Sequence, residues 1–377
     1  MSVSKSTPQN EKIHARQIAF AAAFLLPAAK LLEAPSILSK YAGGDLLFPA
    51  LAHFLIQAFI LLGLLYAVSR SQKTLHERLL EAFGRGTIVF YILYAIYFLF
   101  AAILPLLDME KFVYAAFFDT SPTTFAFGAF FLVSAFICAK GIKAIGRAAD
   151  LCLFLFLLPF LALIFMSFNA VDFSHLLPLF GMRFQDNLSA FTHTTPHFSD
   201  AVLLLPLLAR YRYQEGDGKK IMAGYGVGSA LTLIFLAVFY AVYSSLAPRE
   251  HYAFSKIAQY FPALNVVGRI DLVFIYLLSI VLIFYTCLPL QYTTGLIAQS
   301  FGTERKAWLS AIISALLFIF VLQANKYYDS FYFYISDKLY WIFYLIADML
   351  PLFFIFLPKD RQNKNVKKQG KKEKNYA

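Results

Sequence analysis

Long runs of apolar residues, separated by short polar segments, dominate this 377-residue chain. A run of about 20 apolar residues is long enough to cross the hydrocarbon core of a bilayer as an α-helix. Counting such runs predicts ten membrane-spanning helices, over residues 17–40, 46–68, 87–107, 123–139, 149–168, 184–210, 221–246, 268–299, 306–323 and 333–357. The pattern therefore predicts an all-α polytopic membrane protein.

The overall composition agrees with this pattern. Hydrophobic residues make up 60% of the chain, whereas soluble domains lie nearer about 45–50%. No predicted loop exceeds about 30 residues, which is too short for a separate soluble domain. The 3 cysteines lie within or at the ends of predicted spans and show no metal or disulfide spacing, so we expect them to be packing residues.

Lysine and arginine are distributed unevenly between the two predicted faces. If both termini are cytoplasmic, the inner segments carry most of the basic residues, which is the bias that orients membrane proteins. This bias predicts a cytoplasmic N-terminal tail over 1–16, a transmembrane domain over 17–358 and a basic, disordered cytoplasmic tail over 359–377. The formal net charge of +11 is then explained by topology and by contact with the lipid bilayer, and we expect no nucleic-acid partner.

Two of the predicted spans contain residues that interrupt a helix. In the first span Pro35 follows the embedded charges Lys30 and Glu33, and in the sixth Pro196 precedes Asp200. Discontinuous helices at corresponding positions of two halves are typical of transporters that bind solutes near the bilayer midplane. Five spans separate the starts of the two broken helices, so they enter the bilayer from opposite faces. The sequence therefore predicts a transporter-like five-plus-five inverted repeat with broken helices 1 and 6.

Lys30 and Glu33 are three residues apart in the first predicted span. On a continuous helix this spacing places them on one face and within pairing distance. A charge at the bilayer centre costs at least about 2.5–3.5 kcal/mol, so each charge needs a partner. One interpretation is a buried ion pair that only fixes packing. The other assigns Lys30 to a ligand carboxylate or to the place of a coupling cation, and Glu33 to a ligand ammonium group or a proton.

Two histidines and an acid surround the second break. His193 and His197 have the spacing of a zinc-binding pair on a helix, but Pro196 disrupts their common face and no HExxH pattern is present. We therefore expect no metal and no cofactor. Paired catalytic carboxylates and a Gly-x-Ser-x-Gly turn are also absent from the sequence, so we expect the protein not to be an enzyme.

The predicted ligand site lies where the two breaks meet. Two half-helices would aim their N-termini at one centre, and this positive potential suits an anionic group such as an amino-acid carboxylate. The alternative is a pair of proline kinks without any ligand, because neighbouring helices can satisfy the freed backbone groups. The predicted ligand-binding residues are Ala28, Ala29, Lys30, Glu33, His53, Gln57, Thr194, Thr195, His197, Ser199, Asp200 and Thr286. Asp348 in the tenth span is a further deeply embedded acid.

Three stretches of the chain resemble a known family, the B-subunit (GerAB-type) spore germinant receptors of the amino acid–polyamine–organocation superfamily. They are KLLEAPSILSKYAGGD (30–45), KGIKAIGRAAD (140–150) and LLPLF (176–180). The resemblance implies a membrane subunit that senses a small nutrient germinant and assembles with A- and C-type subunits in the inner membrane of a spore. The chain departs from the family pattern at Ala28, Ala29 and Lys30, where relatives carry a small, Gly-containing stretch.

Two functions are compatible with these features. A receptor subunit would bind an amino acid or similar nutrient and shift a conformational equilibrium. A transporter would move the same solute together with a proton or cation. Both use one fold, so the sequence leaves the two alternatives open.

Overall fold

A computed structural model describes residues 13–357 of the chain, apart from 72, 118–122, 179, 260–270, 304–305, 325–326, 328–329 and 331–332. The described residues form helices joined by short loops, and none of them lies in a β-strand. The predicted basic tail, 359–377, and residues 1–12 of the predicted N-terminal tail lie outside the described residues. The predicted boundaries of the transmembrane domain therefore stay predictions.

The first predicted span is a broken helix. Its two parts are α1, Ala15–Lys30, and α2, Ala34–Ala42, and the axis bends by 62° between them. A π-helical turn lies within α1 at Ala21–Leu25. Pro35 lies in the first turn of α2, where its missing N–H has no helical acceptor to lose.

The sixth predicted span is also broken. It consists of α8, Phe184–Thr194, a 3₁₀ turn over Thr195–Phe198 and α9, Asp200–Ala209. The other helices are α3, Leu47–Ser69; α4, Leu75–Phe83; α5, Thr87–Phe117; α6, Thr123–Lys140; α7, Ile142–Ser167; α10, Asp217–Tyr243; α11, Ala253–Gln259; α12, Asp271–Phe301; α13, Lys306–Ala324; and α14, Trp341–Phe356. Each predicted span overlaps one of these helices or a broken pair, although residues 268–270 of the eighth lie outside the described residues and α14 begins later than the predicted tenth span. A π-helical segment, Tyr344–Met349, lies within α14.

Six helices are long and apolar enough to cross a membrane, and the bent pair α1 and α2 raises this number to 7 among the described residues. The halves α8 and α9 have 11 and 10 residues, so neither crosses a bilayer alone. These spans confirm an all-helical, multi-pass membrane protein. The count of ten spans and the inverted repeat stay predictions.

The two broken helices lie at the centre of the bundle. α1 packs against α7 and α10, while α9 packs against α3. α12 is the most extensively packed long helix and contacts α5, α6, α7 and α13. The three cysteines, Cys138, Cys152 and Cys287, are free and buried in this core, as predicted.

α10 approaches α1 so closely that two of its positions leave no space for a side chain. A Cβ atom on Gly224 would lie 2.4 Å from the carbonyl oxygen of Ala19, and one on Gly228 would lie 2.4 Å from that of Ala22. Small residues four positions apart are typical of close contacts between membrane helices, because they allow the two backbones to approach. This contact holds the segment that leads to the first break.

We expect Gly228→Ala to lower the free energy of unfolding by about 1–3 kcal/mol, because the new methyl group must displace backbone. Gly226→Ala is the matched control, since a Cβ there meets no atom within 4 Å. Unfolding can be followed with a thiol-reactive fluorophore, because Cys138, Cys152 and Cys287 become accessible only when the core opens. Equal melting temperatures for the two variants would contradict the close contact.

Candidate functional site

Backbone groups at the first break are satisfied by another part of the protein. The carbonyl oxygens of Leu31 and Leu32 accept hydrogen bonds from the N–H groups of Phe254 and Ala253, at 3.0 and 3.1 Å. These donors belong to the first turn of α11, where N–H groups have no helical acceptor. Protein therefore replaces the helical partners that these two carbonyls lost at the break, as membrane burial requires.

Hydroxyl groups at the second break bond to their own segment. Thr194 Oγ1 donates to Ala190 O at 2.7 Å, and Thr195 Oγ1 donates to Phe191 O at 3.0 Å. Ser199 Oγ donates to Thr195 O at 3.4 Å. All three predicted residues thus lie at the break, where their hydroxyls stabilise its irregular backbone.

An ion pair joins the two breaks. Lys30 Nζ lies 2.5 Å from Asp200 Oδ1, and each side chain is only 3% exposed. Nζ also donates to Leu26 O at 3.3 Å and lies 5.5 Å from the centroid of the Phe198 ring, within range of a cation–π contact. Lys30 ends α1 and Asp200 begins α9, so each charge lies at the helix end whose dipole stabilises it.

The predicted geometry for Lys30 and Glu33 is wrong in one respect. The two do not share a continuous helix, because α1 ends at Lys30 and Glu33 lies beyond the break. Glu33 Oε2 instead lies 3.1 Å from His251 Nδ1, in the loop before α11. The Glu33 side chain is 6% exposed and that of His251 is 65% exposed. Glu33 therefore faces a surface loop, away from the ion pair between the breaks.

Gln57 connects the second break to two neighbouring helices. Its Oε1 accepts the backbone N–H of Ala201 at 2.9 Å, in the first turn of α9. Its Nε2 donates to Asp348 Oδ1 at 2.6 Å. Both contacts are buried, and Gln57 itself is 2% exposed. One amide therefore satisfies a helix N-terminus and an embedded carboxyl group, and it holds α3, α9 and α14 together.

His53 supports the second break from α3. Its ring stacks between Phe191 and Phe198, with centroid separations of 3.9 and 4.5 Å. Its Nε2 lies 3.0 Å from Phe191 O and 3.1 Å from Thr194 Oγ1. A carbonyl oxygen can only accept, so Nε2 carries the proton in this arrangement. His53 therefore positions the backbone of the break.

A cavity lies between the two breaks. Three predicted residues, Ala29, His197 and Thr286, line it. The other lining residues are Leu32, Ala101, Pro105, Asp108, Pro196, Leu282, Tyr285 and Phe343. We call this space the central cavity. Ala28, which is buried, does not line it.

Asp108 and Tyr285 are polar residues of the central cavity that the predicted set lacks. Asp108 was missed because the predicted third span stops at residue 107, whereas α5 continues to Phe117. The deeply embedded position of this acid is visible only when the helix is extended. Tyr285 is next to Thr286 on α12, but it is one of 23 tyrosines in the chain and nothing in the sequence distinguishes it from the others.

The two histidines near the second break have separate contacts. His193 stacks on Tyr41 at 4.3 Å, and its Nδ1 lies 2.8 Å from Ser189 O. His197 lines the central cavity. Within the described part of the chain, no group of three His, Cys, Asp or Glu side chains is arranged to hold a metal ion.

The chain is similar to known proteins in both sequence and fold. The family model described as "Spore germination protein" matches residues 47–328. No curated protein matches the chain. Among solved structures, the crystal structure of MhsT in complex with L-phenylalanine has a TM-score of 0.59 and 13% sequence identity, over 92% of this chain and 89% of that chain. The likeness extends over most of both chains and shows that they share an all-helical fold, whereas the inverted repeat stays a prediction.

Proposed function

Because the chain belongs to the spore germination protein family and shares an all-helical fold with MhsT, we propose that it is the membrane subunit of a germinant receptor. In this proposal a small amino acid, or a similar nutrient, binds in the central cavity and triggers germination. The observation that carries the proposal is that one ion pair joins both broken helices beside this cavity. Family and fold are those of a receptor or transporter rather than those of an enzyme.

The lining of the central cavity suits a small zwitterion. Asp108 supplies a carboxylate that can bind an ammonium group, and His197 can donate a hydrogen bond to a carboxylate. Thr286 and Tyr285 add hydroxyl groups on the α12 side. Ala29 sets the space left for the ligand side chain. Convergent polar groups in an otherwise apolar cavity are typical of small-molecule sites.

Lys30 acts in this proposal as an internal cation. Of the two roles predicted for it, the ion pair with Asp200 favours the replacement of a coupling cation over direct contact with a ligand carboxylate. A bound metal cation can leave with the solute, whereas a lysine ammonium cannot. A protein with a tethered charge at this position is better suited to sensing than to cation-coupled transport.

Signalling requires that the ligand bind two conformations of the protein with different affinity. A ligand in the central cavity would contact Ala29 at the end of α1 and His197 in the turn before α9. Any change in the relative position of the two breaks would alter both contacts. The ligand would therefore favour one arrangement of the broken helices over the other.

We expect one or more small amino acids to raise the melting temperature of the purified chain in nanodiscs. Ala29→Leu should weaken that binding at least about tenfold, or 1.4 kcal/mol, because the larger side chain occupies the central cavity. Ala315→Leu is the matched control, since Ala315 is exposed on α13. Spores that carry Ala29→Leu should lose the response to the same amino acid.

Three results would count against this proposal. Stabilisation by an amino acid that is equal in Ala29→Leu and Ala315→Leu would place the ligand elsewhere. If Ala29→Leu abolishes binding but its spores germinate as the wild type does, ligand binding in the central cavity is not what triggers germination. Cation-dependent uptake of the amino acid by proteoliposomes would favour the alternative, a coupled transporter of the same solute.

Assembly and location are further parts of the proposal. We propose that the chain assembles with A- and C-type receptor subunits in the inner membrane of the spore, with both termini in the cytoplasm. The bias of Lys and Arg toward one face supports this orientation. Co-purification of the A- and C-type subunits with the tagged chain from spores tests the assembly, and recovery of the chain alone would contradict it.

A further inference from the structure

A second cavity lies at the opposite end of α9 from Asp200. It is open to the surface on one side. Its walls come mainly from α4, α5, α9 and α12, and its apolar lining includes Leu75, Phe90, Phe98, Leu205, Leu296 and Phe354. We call it the Arg210 cavity, after the residue that follows α9. It shares no lining residue with the central cavity.

Two buried polar atoms on the wall of the Arg210 cavity lack a hydrogen-bond partner. They are the Tyr94 hydroxyl and Gln291 Oε1, and each residue is 4% exposed. Buried polar atoms in proteins are nearly always bonded to protein or water. In contrast, His76 and Tyr91, which also line the cavity, are hydrogen-bonded to each other. The Tyr94 hydroxyl is therefore placed to donate a hydrogen bond to an acceptor inside the cavity. Gln291 Oε1 is itself an acceptor, so Nε2 is the end of this amide that can bind an anion.

The hydrogen-bond donors on the wall of the Arg210 cavity suit an anion. Arg210 lines it, and no Asp or Glu is among the lining residues that the structure describes. A guanidinium group has five N–H donors, so it can bind an anion while it keeps another contact. A Cβ atom on Gly295 would lie 3.4 Å from Arg210 Nη2 and 3.9 Å from Gln291 Nε2. Because Gly295 has no side chain, the Arg210 and Gln291 side chains have room to lie beside each other.

We propose that the Arg210 cavity binds a small monocarboxylate with an aromatic or aliphatic body. The carboxylate accepts hydrogen bonds from the Arg210 guanidinium, the Tyr94 hydroxyl and Gln291 Nε2. The apolar body packs against the aromatic and aliphatic wall. An amino acid is a poorer ligand, because the described lining residues include no carboxylate to bind its ammonium group.

This second site acts on the same helix as the first. α9 carries Asp200, the partner of Lys30, at its start and is followed directly by Arg210 at its end. A carboxylate in the Arg210 cavity would hold that end of α9 against α12 and α4. Such a ligand would modulate the response to the nutrient without entering the central cavity.

Calorimetry on the full chain in nanodiscs tests the proposal, with 3-phenylpropionate as the probe and 3-phenylpropanol as its uncharged analogue. We expect the acid to bind at least about tenfold more tightly than the alcohol, because a charge-assisted contact is lost in the alcohol. Arg210→Gln should weaken binding of the acid by a similar factor. Arg212→Gln, at an exposed residue that pairs with Glu77, should leave it unchanged.

Two further variants test whether binding of the acid is independent of folding and of the central cavity. Tyr94→Phe removes a hydroxyl without a protein partner, so its melting temperature should stay unchanged while its affinity for the acid falls about tenfold. Ala29→Leu should bind the acid as the wild type does, even where amino-acid binding is lost. The proposal is overturned by equal binding of acid and alcohol, by full binding of the acid to Arg210→Gln, by loss in Ala29→Leu, or by no binding to the wild type.

Discussion

Lys30→Met is expected to lower the free energy of unfolding by about 3–5 kcal/mol, because it leaves the Asp200 carboxylate buried without its cation. Asp200 is 2% exposed, so water cannot replace the lost partner. Lys73→Met is the matched control. Lys73 pairs with Glu81 at 2.6 Å, but the two side chains are 33% and 57% exposed, and such pairs contribute about 0–1 kcal/mol.

The double variant Lys30→Met/Asp200→Leu should recover most of the lost stability. Replacing a buried ion pair by apolar residues of similar size is often neutral or stabilising, by up to about 4 kcal/mol. The four proteins of this cycle give the interaction energy of the pair directly. A double variant as unstable as Lys30→Met, or a single variant with the melting temperature of the wild type, would contradict the assigned pairing.

The same double variant distinguishes the two interpretations of the ion pair. If the pair only fixes packing, the folded double variant should bind its amino acid and support germination as the wild type does. If Lys30 is an internal cation that takes part in switching, binding or germination should be lost although the protein still folds. The stability measurement and the functional measurement are therefore both needed on one protein.

Gln57→Leu is expected to destabilise the protein by about 2–6 kcal/mol, because it leaves two buried groups without partners, each costing about 1–3 kcal/mol. These groups are the Asp348 carboxyl and the backbone N–H of Ala201. The loss should be measured as a lower melting temperature of the purified chain. It should also loosen α9 at the end next to the Lys30–Asp200 pair.

Two comparisons make the Gln57 result specific. Gln323→Leu changes an exposed glutamine of α13 and should leave the melting temperature within the error of the wild type. Adding Asp348→Leu to Gln57→Leu removes one of the two unsatisfied groups and should restore part of the loss. If Gln57→Leu melts like Gln323→Leu, the buried amide does not hold the three helices together.

Local properties of the chain were enough to locate the helices and both breaks. Apolar runs give spans because burial in lipid depends on the side chains of one segment, and a helix satisfies its own backbone. Proline acts on the residues next to it, so the interruptions near Pro35 and Pro196 could be found without knowledge of neighbouring helices. The buried positions of His53, Gln57 and Asp200 also followed from their place within apolar runs.

The partners of the buried polar groups depended on how distant segments pack. Lys30 pairs with Asp200 across 170 residues, and Gln57 bonds to Asp348 across 291. Spacing along the chain pointed instead to Lys30 and Glu33, because that argument assumes one continuous helix and α1 ends at Lys30. The charges and unpaired backbone groups at a helix end find their partners in whichever segment packs against that end, and spacing along the chain does not identify this segment.

Which residues line the two cavities likewise depends on how the helices pack. Asp108 of α5 meets Ala29 of α1 and Thr286 of α12 only because three helices converge on one space. Hydrophobicity and proline act on neighbouring residues and are readable from order along the chain. Ion pairs, amide bridges and cavities join residues far apart in that order, so their geometry exists only once the helices have packed.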